Sequence, residues 1–268
     1  MKAFMTRLTS GIVLLAMIIS VGLLGGWVLF AFTLTISLIG LWEFCRVFHL
    51  EKKSLGLLGL LFTVIYYLCV RNRHVSMETG MVVLLSYLIC AMAVYVFTFP
   101  KYKTEEIMAA VFGMFYVTVM LSFIYLTREI PLEGVEGKFL FFLIFICSWG
   151  CDTCAYAVGM LLGRHKLAPV LSPKKSVEGG IGGVVGAALL GFLYGKFFMS
   201  HGGVCALICA VGAVVSQVGD LAASAIKRNH EIKDYGTLIP GHGGILDRFD
   251  SVIFTAPIIY VMAVLMMR

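Results

Sequence analysis

Apolar residues run through this chain in long blocks, parted by short polar stretches. Gly11 to Cys45 forms one apolar run, too long for a single crossing of a hydrocarbon core of roughly 30 Å, which takes about 20 helical residues. Gly25-Gly26 offers a turn inside it, so it reads as two helices. Five more blocks follow, Leu55–Val70, Thr79–Phe99, Ile107–Leu126, Phe139–Leu162 and Gly179–Phe198. Gly203 to about Ile226 and Ser251 to Met267 complete a set of about nine helices. Met81–Phe97, MVVLLSYLICAMAVYVF, shows none of the alternation a membrane β-barrel requires. The pattern therefore predicts an all-α, polytopic membrane protein, since a lipid-exposed backbone must satisfy its own hydrogen bonds. Two polar stretches interrupt the second half, Arg164–Glu178 and a longer loop running to Asp250.

Composition agrees. The chain is 60% hydrophobic and 13% charged, with a mean hydropathy of +0.97, whereas about a quarter of a soluble domain is charged. The first apolar run follows Lys2 and Arg7 without a convincing cleavage site and is read as a permanent anchor. Fifteen of the 21 Lys and Arg residues fall on one side of a nine-helix arrangement. By the positive-inside rule that side, with the N-terminus and both polar loops, is cytoplasmic, in a cell (plasma or inner) membrane. Membrane orientation accounts for the net charge of +6, so nucleic acid is not expected as a partner. The eight cysteines lie almost entirely in apolar runs and read as small hydrophobes. Cys151 and Cys154 have the spacing of a metal or redox pair, but no second pair or His stands near them. The chain divides into residues 1–137, a lipid-facing scaffold, and 138–268, a catalytic region.

The candidate chemistry concentrates in Ser216–Asp250. Ser216, Asp220, Ser224 and Lys227 follow at spacings of four, four and three, which puts them on one helix face. A carboxylate near a membrane interior is costly and is a functional candidate by default. A polar stripe facing another helix is the structural alternative, but it leaves the basic end, Lys227-Arg228, unexplained. Pro240-Gly-His-Gly-Gly-Ile-Leu-Asp-Arg-Phe-Asp250 follows. Its glycines permit close backbone approach to an anion. Asp247 and Asp220 form the natural pair for a divalent metal such as Mg²⁺, which takes one or two carboxylates plus phosphate and water. Arg248 and the neighbouring basic residues suit phosphate oxygens. His242 either orders the turn or touches phosphate. Ser172-Pro-Lys-Lys-Ser176 places Lys174 and Lys175 just before a helix N-terminus, where they hold an anion or anchor the loop. Asp152 either faces the same cavity or bonds between helices. Carboxylates, glycines and basic residues on one side of a membrane bundle point to Mg²⁺-dependent phosphate chemistry on a lipid.

Ser224–Asp250, SAIKRNHEIKDYGTLIPGHGGILDRFD, resembles the signature of the phosphatidate cytidylyltransferases, the CDP-diacylglycerol synthases, with no departure at its charged or glycine positions. Asp152–Tyr156 and Ser172–Gly180 are similar to that family as well. The family's usual threonine is Ser176 here and its usual aromatic residue is Val177. The resemblance covers roughly the last half of the chain. It implies the reaction of CTP with phosphatidate to give CDP-diacylglycerol and pyrophosphate, with Mg²⁺, K⁺ near it, and a homodimer. It assigns the metal to Asp220 and Asp247. Lys227, Arg228, Arg248 and Asp250 are then expected at the reacting phosphates, and Lys174, Lys175, Ser172, Ser224, His242, Gly243, Gly244 and Asp152 around the substrates. A related enzyme acting on another lipid phosphate fits nearly as well. An ion-coupled transporter using Asp152 and Asp220 is the rival from another class.

Overall fold

The computed structural model describes residues 2–72 and 77–267. Arg73 and Arg268, both counted on the minority side of the charge bias, lie outside the described residues. The helices are α1 (Lys2–Leu24), α2 (Gly26–Val47), α3 (Ser54–Arg71) and α4 (Met77–Phe97), then α5 (Thr104–Gly113) and α6 (Met120–Arg128), α7 (Gly137–Leu162), α8 (Val177–Phe198), α9 (Gly202–Asn229) and α10 (Leu246–Met266). A π-helical segment, Met114–Val119, joins α5 to α6, so Thr104–Arg128 runs as one span. Among the described residues, eight helices are long and apolar enough to cross a membrane. The remaining apolar helix, Leu8–Leu24, is shorter. The break after α1 falls at Gly25, whose φ of 61° suits a residue without a Cβ.

Two features depart from the sequence expectation. Arg164–Glu178 is not a plain loop: β1 (Lys166–Ala168) and β2 (Ser172–Ser176) pair antiparallel, with Lys166 opposite Ser176 and Ala168 opposite Ser172. Ser176 then caps α8, its Oγ accepting the Gly179 N–H at 3.1 Å. The second departure is the start of the last helix. It begins at Leu246, so Asp247, Arg248 and Asp250 lie in its first turns and not in a preceding loop. A carboxylate in the first turn favours a helix start.

The chain folds as two compact units. One comprises Met1–Gly11, Gly26–Ser122 and Asp234–Asp247, so most of the signature loop packs with helices of the first half. Its core is built on Leu29, Leu41, Phe44, Tyr67 and Tyr87, all buried. Polar side chains inside it bond to one another, Ser37 to Tyr67 and Thr63 to Thr118, at 2.7 and 2.8 Å. This is how helices associate where lipid offers no hydrophobic driving force.

The other unit comprises Ile12–Gly25, Phe123–Lys233 and Arg248–Arg268. Its centre is α7, α8 and α9, where a glycine face on α8 lets neighbouring backbones come close. A Cβ at Gly183 would stand 2.9 Å from both Ala155 Cβ and Cys151 Sγ, and 3.0 Å from the Cys151 carbonyl. Farther along, Gly191 faces Cys205 and Cys209 of α9 in the same way. The cysteines are free, as expected of small hydrophobes, and Cys147, Cys151, Cys205 and Cys209 are buried.

Gly183→Val should destabilise the detergent-solubilised protein by about 1–3 kcal/mol, the usual cost of overpacking. Gly203 has no neighbour within 4 Å of a built Cβ. Gly203→Ala should therefore stay within about 0.5 kcal/mol of the parent in the same denaturation series. Equal midpoints for the two variants would contradict the close packing described for α8.

Candidate active site

The second unit holds a cavity of about 460 Å³ lined from α7, β1, β2, α8 and α9. Asp152 reaches it from α7, Lys174 and Lys175 from β2, and Gln217 and Asp220 from α9. Lys175 Nζ and Asp220 Oδ2 form an ion pair. Gln217 Nε2 donates to the Gly180 carbonyl at 3.0 Å, tying α9 to the first turn of α8. Met160, Leu167 and Ala155 give the cavity an apolar wall. The hairpin delivers the lysines: Glu178 accepts the Arg164 N–H at 3.0 Å and stands 2.6 Å from His165 Nδ1, which closes the base of the hairpin against α8.

More charge gathers on this unit. Asp250 is within electrostatic reach of Asp220, Lys227 and Asp152, and Arg248 of Asp152. Gly219 brings α9 against α10, since a Cβ there would stand 2.9 Å from the Asp250 carbonyl. Lys227 is only 8% exposed, and Ser216, one turn before Asp220, is fully buried. Arg228 is exposed and its Nη1 donates to the Ile232 carbonyl at 3.3 Å, at the end of α9. Ser172 begins β2 and Ser224 lies on α9, and neither lines the cavity.

His242, Gly243, Gly244 and Asp247 belong to the first unit. Ile239 and Gly243 pair across a tight turn, with the Ile239 N–H donating to the Gly243 carbonyl at 2.8 Å. Gly241 and Gly243 both take positive φ there, 74° and 87°. The His242 ring stands 2.7 Å from Ser10 Oγ, and the same hydroxyl reaches the Pro240 carbonyl at 3.1 Å. His242 thus secures the turn to α1.

Asp247 is 6% exposed, and its Oδ2 accepts the N–H groups of Tyr235 and Gly244 at 2.8 and 2.9 Å. The residue that sequence reasoning missed is Glu43, on α2 in the region read as scaffold. It is 2% exposed, and its two oxygens accept the Ile245 and Leu246 N–H groups at 3.1 and 2.9 Å. A Cβ on Gly244 or Gly236 would collide with the Glu43 carboxylate, and one on Gly243 would stand 2.8 Å from Asp247 Oδ2. The closest approaches of these glycines are therefore to the protein's own carboxylates. A lone acid inside an apolar run was the available signal for Glu43.

A family model described as "Cytidylyltransferase family" matches residues 5–266. A phosphatidate cytidylyltransferase of Staphylococcus aureus is 32% identical over 217 residues, covering 79% of this chain and 81% of the relative. One from Staphylococcus epidermidis is 38% identical over 151 residues, 56% of each chain. A third, from Synechocystis sp., is 31% identical and covers 97% of each chain. Both the family model and the Synechocystis relative extend through the helices of the first half, well beyond the signature. With its glycine loop, its acidic and basic cavity and a match spanning almost its whole length, the chain belongs to the cytidylyltransferase family.

Proposed function

We propose that the protein transfers a cytidylyl group from CTP to phosphatidate, forming CDP-diacylglycerol and releasing pyrophosphate. Family membership supports this reading and favours neither the transporter nor another lipid phosphate. The observation that carries it is the cavity, where Lys174, Lys175, Asp152 and Asp220 meet an apolar wall. Such a surface suits a molecule that is anionic at one end and apolar at the other.

The phosphate of phosphatidate is already an anion and needs no general base. One of its oxygens forms a bond to the α-phosphorus of CTP, the bond from that phosphorus to the bridging oxygen breaks, and pyrophosphate leaves with the bonding pair. Transfers of this kind are served mainly by positioning and by neutralising charge. Lys174 and Lys175 hold phosphate oxygens in this scheme, and Lys227, Arg228 and Arg248 balance charge on the reacting phosphates and the departing pyrophosphate. The Lys175–Asp220 pair keeps the lysine at the cavity before substrate arrives. Asp250 stands near Asp220 and Lys227 and tunes their field.

Mg²⁺ is part of the proposal. Among the described residues no group of three or more His, Cys, Asp or Glu side chains is assembled for a metal. Mg²⁺ takes one or two carboxylates and completes its shell with substrate phosphate and water. The hard oxygens of Asp220 and Asp247 would hold it by motif position. Bound there, it would supply positive charge to the phosphates. K⁺ nearby and a homodimer rest on the resemblance alone. A cytoplasmic N-terminus and cytoplasmic loops rest on the charge bias.

Purified protein should release pyrophosphate from CTP only when phosphatidate and Mg²⁺ are both present. Release without phosphatidate, or flux in sealed vesicles without pyrophosphate, would contradict the reading. Asp220→Asn should lose on the order of 100-fold or more in kcat, the scale of a lost electrostatic contact to a transition state, with helicity and elution profile unchanged. Lys175→Ala should cost about 10- to 100-fold in kcat/KM. Parent-like turnover in Lys175→Ala would remove the lysine from the site.

A further inference from the structure

We infer that Glu43 is a positioning residue for the reaction: a buried carboxylate on α2 that fixes the first turn of α10 and thereby aims Asp247. Resting on the cytidylyl-transfer reading, this gives the first half of the chain a part in the chemistry that acts through Asp247.

A helix start leaves backbone N–H groups without intrahelical partners, and a side chain within a few residues normally caps them. The start of α10 is instead capped from elsewhere in the sequence. Glu43 Oε1 takes the Ile245 N–H and Oε2 the Leu246 N–H, the two residues directly before Asp247. Asp247 itself takes the N–H groups of Tyr235 and Gly244. Four backbone donors in one loop are thus divided between two buried carboxylates, Asp247 joining Tyr235 to Gly244 and Glu43 taking the adjacent pair Ile245 and Leu246.

The packing supports the same role. Gly236 and Gly244 leave room for the Glu43 carboxylate, which a Cβ at either position would meet. On the same helix, Gly40 receives the Leu246 side chain, with Cδ2 3.1 Å from a built Cβ. One turn beyond Glu43, Arg46 lies within electrostatic reach of it, as does Asp247. Glu43 therefore holds Asp247 in two ways, through the backbone on its N-terminal side and through the glycines that flank the loop, and these contacts outweigh the repulsion between the two acids. None of these contacts requires Glu43 to touch substrate.

Three proteins decide the matter: the parent, Glu43→Ala and Glu43→Gln. Glutamine fills the same space and keeps one acceptor for two donors, whereas alanine removes both. Glu43→Gln should lower kcat about 10-fold, the scale of one lost hydrogen bond to a charged acceptor, and Glu43→Ala about 100-fold or more. In both, the Mg²⁺ concentration giving half-maximal rate should rise by at least about 3-fold while KM for CTP moves less, because the defect acts through Asp247. A second readout needs no turnover: Mg²⁺ alone should raise the unfolding temperature of the substrate-free parent more than that of Glu43→Gln. If Glu43→Ala does not fold, Glu43→Gln carries the test. Parent values of kcat and Mg²⁺ dependence in Glu43→Gln overturn the inference, as does a loss of rate with unchanged Mg²⁺ dependence, which marks a purely structural residue. A parent that releases no pyrophosphate would instead fail the functional reading, and the two failures are distinct.

Discussion

Buried carboxylates taking backbone N–H groups are the interaction on which the signature loop depends. A membrane bundle offers little water to pair the open end of a helix, and an unpaired backbone group there costs several kcal/mol. An isolated buried carboxylate is costly for the same reason. Glu43 and the start of α10 solve each other's problem. Hydrogen bonds to a charged group contribute roughly 1.5–3 kcal/mol each. Two of them are comparable with the several kcal/mol that burying one ion costs after relaxation. The pair gains little net stability, and what it provides is a single arrangement of backbone.

That arrangement explains the composition of the loop. Gly236 and Gly244 are bare because the Glu43 carboxylate occupies the space a side chain would take, and Gly243 is bare because Asp247 does. Gly241 and Gly243 also supply the positive φ of the turn that carries His242. In the other unit glycine does related work among helices, where α8 comes close enough to α7 and α9 for Asp152, Lys175 and Asp220 to share one cavity. Charge is placed at a membrane protein's expense in both places, and in both the backbone has been cleared to receive it.

Much of the fold was legible in the sequence because membrane helices announce themselves by length and apolarity, and Gly25-Gly26 marked the break between α1 and α2. The start of α10 was not legible. Its cap comes from Glu43, 203 positions before Leu246, and no local pattern encodes a partner that distant. The hairpin escaped because its strands have three and five residues and one contains Pro173. Asp220, Lys174, Lys175 and Asp152 were legible as a group, since charge in an apolar setting stands out and the structure gathers all four at one cavity. Glu43 was legible by the same rule but stood alone, in a helix with no other sign of chemistry.

Amide hydrogen exchange at Tyr235, Gly244, Ile245 and Leu246 in the substrate-free protein tests the organising interaction most directly. If the carboxylates of Glu43 and Asp247 hold these four groups, they exchange as slowly as amides in the interior of α10, and Ile245 and Leu246 lose that protection when Glu43 is replaced by alanine. Exchange as fast as in an exposed loop, with or without Glu43, would contradict the account.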